Sequence, residues 1–194
     1  AFFSVLQAVR TAGLLLAYHD VADGGLFATL AEMAFASHCG LDLVLPAKMD
    51  PLPVLFAEEL GAVLQVKSRD VASIAMRFSA AGLAVHALGR PTLDGRVRIA
   101  QNGTHVFDES RADLHRAWSA TTHALQRLRD NPEAADQEYD RLLDVDDPGL
   151  APQLSFDPDA DIAAAYIATG ARPAIAILRE QGVNGQVEMG AAFD

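Results

Sequence analysis

The run Ala17-Tyr18-His19-Asp20-Val21-Ala22-Asp23-Gly24-Gly25-Leu26 constrains this chain more than any other stretch. Ahead of it, Leu14, Leu15, Leu16 and Ala17 form a short apolar run suited to a buried strand. After it, Leu26, Leu30 and Met33 recur at helical spacing. Two carboxylates and two glycines therefore stand where a strand gives way to a helix. A helix start offers unpaired backbone N–H groups and a partial positive charge, and glycine lets a phosphate approach that backbone closely. Carboxylates beside it can hold Mg2+ through hard oxygen ligands, leaving its other positions for water and phosphate. The segment reads either as a capped helix start with a tight turn, or as a phosphate and Mg2+ corner built on Asp20, Asp23, Gly24 and Gly25.

Helical spacing predicts a first helix over residues 2–12 with Gly13 as its stop. Gly40 sits where a left-handed cap of the motif's helix is expected, and residues 41–45 read as a strand ended by Pro46. Asp50 ahead of Pro51 fits a helix start, because proline at the first helical position loses no needed hydrogen bond. Residues 62–66 read as a strand. Asp70 opens another helix with Val71, Ile74 and Phe78 on one face, and Gly82 closes it before an expected strand at residues 83–88. Asn102-Gly103 takes the positive φ angles of a tight hairpin between Arg96-Val97-Arg98-Ile99 and His105-Val106-Phe107. Ser110 with Asp113 resembles a capping pair, opening a long helix that carries Leu114, Trp118, Leu125 and Leu128 in one stripe. Strands, helices and hairpins in this mixture predict an α+β fold, a layered mixed sheet with helices.

Other candidate residues have weaker claims. His19 adjoins Asp20, yet neighbours on a strand point to opposite sides, so it reads as structural. His38 and Cys39 are adjacent near a helix end without spaced partners, which is poor spacing for a metal or nucleophile site. His115 and His123 are expected at the edge of a helix's solvent face. Glu58 and Glu59 read as a solvated helix end. Cys39 is the only cysteine among 194 residues, so neither an internal disulfide nor a cysteine-rich metal site can form. A formal charge of -11 opposes attraction to nucleic acid. No apolar stretch approaches the roughly 20 residues that cross a bilayer, and the start lacks the order of a secretion signal, so no membrane role and a cytoplasmic location are expected.

The His-Asp-x-x-Asp-Gly-Gly-Leu pattern resembles the synthetase half of phosphoribosylformylglycinamidine synthase, the large, multidomain, glutamine-dependent enzyme of purine biosynthesis. Three further stretches carry the same resemblance: Glu58-Glu59-Leu60-Gly61-Ala62-Val63-Leu64-Gln65-Val66, Gln126-Arg127-Leu128-Arg129-Asp130-Asn131-Pro132-Glu133, and Ile167-Ala168-Thr169-Gly170-Ala171-Arg172-Pro173. The resemblance implies an ATP-dependent ligase that converts formylglycinamide ribonucleotide, glutamine and ATP to formylglycinamidine ribonucleotide, glutamate, ADP and phosphate. It implies Asp20 as a Mg2+ ligand at a nucleotide site, with Ala22, Gly24 and Gly25 against ATP or ADP, and it admits one of Glu58 and Glu59 facing the cleft. Ala22 departs from the serine of many relatives; one lost hydroxyl contact removes on the order of 0.5–1.5 kcal/mol.

By the same resemblance, residues 1–130 are the C-terminal part of an aminoimidazole ribonucleotide synthetase-like domain. Residues 131–172 are an acidic connector, with Leu154, Phe156, Tyr166 and Ile167 expected against that domain. Residues 173–194 begin a class I glutamine amidotransferase domain: a strand at 174–178, a loop at 179–185 and a helix from Gln186. The amidotransferase's cysteine, histidine and glutamate lie further along, so no catalytic residue is expected in this chain and it should not hydrolyse glutamine. Both ends read as cuts through a longer polypeptide, whose remaining segments would be its partners alongside the small-molecule substrates. A noncatalytic interaction module using the acidic connector is the competing reading, and a stand-alone small synthetase subunit is a second.

Overall fold

The computed structural model describes residues 1–182 and 184–193. It divides into two compact units, Ala1–Asp147 and Pro148–Asp194.

In the first unit, helix α1 (Phe2–Thr11) leads into strand β1 (Leu15–Asp20), which pairs antiparallel with β3 (Ala62–Val66). Gly13, at φ +67°, turns the chain between them. Helix α4 (Val71–Ala80) follows a 3-10 turn at Ser68–Asp70. Leu6, Val9, Ile74 and Phe78 from the two helices form one core, against which Leu15, Leu64 and Val66 pack. Burial alternates along β1, so Leu15, Ala17 and His19 face inward while Leu16, Tyr18 and Asp20 face out.

The second core holds the motif's helix. Helix α2 (Gly25–Ser37), strand β2 (Gly40–Val44), the short helix α3 (Pro51–Phe56) and strand β5 (Arg96–Gln101) bring together Leu30, Ala34, Leu41, Leu43, Leu55, Val97 and Ile99. With β4 (Gly89–Thr92) and β6 (Thr104–Ser110), the strands form a sheet in the order β4-β2-β5-β6, in which β2 and β5 run parallel and the outer pairs antiparallel. The mixed α+β architecture matches the sequence expectation. Asp50 caps α3 by accepting from the Leu52 amide, and Asn102 and Gly103 turn the β5–β6 hairpin at φ +52° and +79°. Ser110 accepts from the Asp113 amide at the start of α5 (Arg111–Arg129). Helix α6 (Pro132–Arg141), capped by Asn131, lies on α5: the Arg116 guanidinium sits 3.9 Å from the Tyr139 ring, and His123 stacks on that ring at 4.1 Å.

Several expectations need correction. His38, at φ +49°, ends α2, while Gly40 lies inside β2. Glycine is required there because a Cβ would come within 2.7 Å of Arg96 backbone. Residues 83–88 form no strand; the pairing with β2 falls on β4 instead. Asp70 makes no side-chain cap. Of the apolar stripe on α5, Trp118, Leu125 and Leu128 are exposed. His115 and His123 are half-buried, as expected at the edge of the helix's solvent face, but each is engaged: His115 stacks on Phe35 at 4.4 Å, and His123 shares Asp136 with Arg127.

On the outer face of the four-stranded sheet, Arg90, Asp42, Arg98 and Asp108 lie in register across all four strands with alternating charge. Arg98 also reaches Asp94 at 2.6 Å. The Arg98 hydrogen bond, followed by those from the Thr92 hydroxyl and the Arg96 amide, holds the Asp94 carboxyl down from 3.8 to about 2. A depressed carboxylate contributes stability above its unfolded value and loses it as pH falls toward the folded value. Asp94→Asn should therefore flatten the acid limb of a stability–pH curve between pH 4 and 2, followed by urea unfolding at each pH; an unchanged limb would show this cluster to be energetically idle.

In the second unit, Asp161 accepts from the amides of Ala163 and Ala164 at the start of helix α7 (Ala164–Ile167), and α8 spans Gln186–Phe193. Residues 174–178, expected as a strand, take no regular structure, since a strand exists only with a neighbour to bond. Within the loop at 179–185, Val183 lies outside the described residues, as does Asp194 at the end of the third expected segment.

Candidate functional site

The corner is built where β1 meets α2. The Val21 amide donates to the Gly61 carbonyl, which ties the strand's end to the approach of β3. The chain then turns: the Gly25 amide donates to Ala22 O at 3.0 Å, and Gly24 and Gly25 sit at φ +82° and +67°. Thr29, 2% exposed, donates to both the Gly25 and Asp20 carbonyls, locking the first turn of α2 against the end of β1.

Gly25 has a second constraint. A Cβ there would meet Phe56 C, Leu55 O and Ala57 O at 2.8, 2.9 and 3.0 Å, so the backbone at the end of α3 lies directly on it. That approach brings Glu58 to the motif, where its Oε1 accepts from the Gly24 amide at 3.0 Å. A carboxylate thus already holds one helix-start N–H in the position where a phosphate oxygen would be received. Glu58 is exposed, as expected of a solvated helix end, and makes this contact in addition. No local signal marked it, because the partners are 34 residues apart.

The Asp20 side chain points outward, 71% exposed, with the His19 ring 3.9 Å away. Ala22 and Asp23 are exposed, and Gly24 is open while Gly25 is buried. Among the described residues, no group of three or more His, Cys, Asp or Glu side chains is placed to share a metal ion. The donor set suits Mg2+ held by one carboxylate with water and phosphate filling the rest, and does not suit an all-protein cage.

His19 acts as a strut. Its Nε2 lies 2.8 Å from Glu32 Oε2, and its Nδ1 lies 2.7 Å from the Asp20 carbonyl. Glu32 Oε1 accepts from Trp118 Nε1 at 3.2 Å, so one carboxylate links β1, α2 and α5. The structural reading of His19 agrees with this geometry.

The profile of the AIR synthase related protein, C-terminal domain, matches residues 3–101. Among solved structures, phosphoribosylformylglycinamidine synthase II from Thermotoga maritima resembles 56% of this chain over 20% of its own, at 15% identity and a TM-score of 0.51. T. maritima PurL complexed with FGAR resembles 57% of this chain over 20% of its own, at 15% identity and a TM-score of 0.51. T. maritima PurL complexed with AMPPCP covers 98% of this chain and 27% of its own, at 14% identity and a TM-score of 0.52. At these identities the likeness is one of fold, and the chain spans between a fifth and just over a quarter of those proteins.

Proposed function

The chain belongs to the AIR synthase related family, and from that membership we propose that it contributes a phosphate and Mg2+ corner to an ATP-dependent phosphoribosylformylglycinamidine synthase. In that reaction ATP phosphorylates the amide oxygen of formylglycinamide ribonucleotide, and ammonia from glutamine displaces the phosphate to leave the amidine. The FGAR and AMPPCP carried by the T. maritima protein support a purine-precursor substrate and an ATP-type nucleotide.

The observation that carries the reading is the corner itself: exposed Asp20 beside two left-handed glycines at the first turn of α2. In this reading Mg2+ screens phosphate charge, and Asp20 supplies one hard oxygen to it. Gly24 and Gly25 let phosphate oxygens approach the helix-start amides, and Ala22 lines the turn without a hydroxyl. Glu58 has to leave the Gly24 amide when a phosphate takes it. Residues 1–130 then form part of the synthetase domain, 131–172 the connector and 173–194 the beginning of the amidotransferase, in a cytoplasmic enzyme whose chemistry this chain alone does not complete.

A helix terminus contributes only about 0.3–1 kcal/mol to an anion, whereas micromolar affinity needs roughly 8 kcal/mol. In a titration with Mg-ADP followed by amide NMR, Gly24, Gly25 and Leu26 should move and saturate only in the millimolar range. Asp20→Asn should weaken the response in Mg2+ and leave it unchanged in EDTA. Motionless amides would remove the corner, and submicromolar binding would show that the chain holds the whole site.

A further inference from the structure

The four-stranded sheet is closed on one face and open on the other. Inside, Leu30 and Ala34 of α2 and Leu55 of α3 pack on Leu43, Val97 and Ile99. A parallel pair such as β2–β5 is ordinarily covered on both faces. On the outer face, however, the side chain of Arg90 is 79% exposed and Val44 is 60% exposed.

The row that crosses this face reads Arg90, Asp42, Arg98, Asp108, one residue from each strand in the order β4-β2-β5-β6. Its signs alternate, and an alternating row of four read backwards is its own complement. A second copy laid face to face about a two-fold axis running along the strands has its row reversed, so Arg90 meets Asp108 of the other copy and Asp42 meets Arg98. The strands of the two sheets then stay aligned, as in stacked sheets generally. The same rotation brings the neighbouring row into apolar contact. There Val44 on β2 stands in register with Ala100 on β5, and each Val44 comes to lie over the Ala100 of the other copy. Ala100 is the small residue in a shallow hollow of about 240 Å³ that Asp42, Val44, Arg98 and His105 also line, and a valine side chain fits it.

Charge favours this face over the surface at large. The chain carries a formal charge of -11, which keeps copies apart in general. Here Arg90, Arg96 and Arg98 balance Asp42, Asp94 and Asp108 through ion pairs of 2.6 to 3.8 Å, and that repulsion is locally absent. We propose that the outer face of this sheet is a self-complementary docking surface for a second copy of the chain, with the Arg90-Asp42-Arg98-Asp108 row reversed across the two-fold axis and Val44 seated at Ala100. Four strands about 4.8 Å apart and three rows of outward residues about 6.8 Å apart span roughly 400 Å² per copy, about half of what a standard interface buries on each partner. The dimer is therefore weak, dissociating on the order of 100 μM. The surface lies in the first unit and shares no residue with the Asp20 corner, so it stands whether or not the nucleotide reading holds.

Sedimentation equilibrium of the full chain in about 0.15 M salt, which screens the net charge but spares contact pairs, should show the average mass climbing toward twice that of one chain between about 10 μM and about 1 mM. Val44→Glu, at an exposed side chain, should weaken association at least tenfold and leave the melting temperature unchanged. Asp42→Arg and Arg98→Asp should each abolish self-association, because each sets like charges opposite one another. An equimolar mixture of those two variants should recover a dimer holding one of each, since their altered rows again complement. A role of these charges within one chain alone cannot produce that recovery. A chain that stays monomeric at the highest concentration overturns the proposal and leaves the face to some other covering. Association that survives in Val44→Glu overturns it too, as does a mixture no more associated than its components. Should either charge variant fail to fold, Val44→Glu decides the matter by itself.

Discussion

Gly25→Ala should destabilise the protein by far more than its single methyl group would on an ordinary helix, and it should dismantle the turn that carries Asp20, Gly24 and Gly25 at the same time. Two independent effects add. At φ +67° a side chain pays conformational strain of about 1–3 kcal/mol. The new Cβ would also press on three backbone atoms of α3 at 2.8–3.0 Å, and overpacking of that kind costs about 1–3 kcal/mol. Gly13 separates the two terms, since it has the same φ of +67° and nothing within 4 Å of the position a Cβ would take. Urea unfolding of Gly13→Ala should report the conformational term alone, and Gly25→Ala should exceed it by the clash. Equal losses would mean that α3 yields freely and that its contact does not position Glu58. With the clash present, α3 must move away from α2, carrying Glu58 off the Gly24 amide.

That contact marks the limit of what the sequence discloses. The elements set by local chemistry were legible: the Asp50-Pro51 start, the Asn102-Gly103 hairpin, the Ser110–Asp113 cap and the strand at Ala62–Val66. The turn and the two caps depend on residues within a few positions of one another, and the strand on a compact apolar run that finds β1 as its partner. Asp20, Gly24 and Gly25 were likewise legible as a turn between strand and helix, and the structure brings them together at one corner. The failures fall where distant segments decide. An apolar run at residues 83–88 satisfies strand composition, yet the hydrogen bonds to β2 go to Gly89–Thr92. That segment contains Pro91, which an edge strand tolerates because one side of it carries no ladder. Gly40 looked like a helix cap because glycine caps are common, but its lack of a side chain serves the close passage of Arg96 instead. His115 and His123 lie half-buried where expected, but their stacking partners Phe35 and Tyr139 come from other helices and carry no local signal. Arg111, the first residue of α5 and 4% exposed, is the extreme case: nothing in the sequence distinguishes it from a solvated arginine at a helix start.

Ile99→Ala should be the most damaging truncation in the core of the first unit. Ile99 is 1% exposed on the central strand β5, held between β2 and β6 and packed in the cluster that includes Leu30, Leu43 and Leu55. Removing a buried isoleucine to alanine costs about 2–5 kcal/mol through lost transfer energy and the cavity left behind, out of a total stability of about 5–15 kcal/mol. Leu128→Ala provides the contrast, because Leu128 is 86% exposed on α5 and its loss should stay within about 0.5 kcal/mol. Denaturant midpoints of the two variants at equal slope would establish the difference. A small loss at Ile99 would mean that the parallel β2–β5 pairing is not the organising contact of this core. The consequence reaches the corner, since Leu30 belongs to α2 and Leu55 to α3, the two helices whose approach fixes Gly25 and Glu58. A weakened cluster should therefore loosen the Glu58–Gly24 contact before the protein unfolds, and faster hydrogen exchange at the Gly24 amide would reveal it under conditions where the β5–β6 hairpin remains protected.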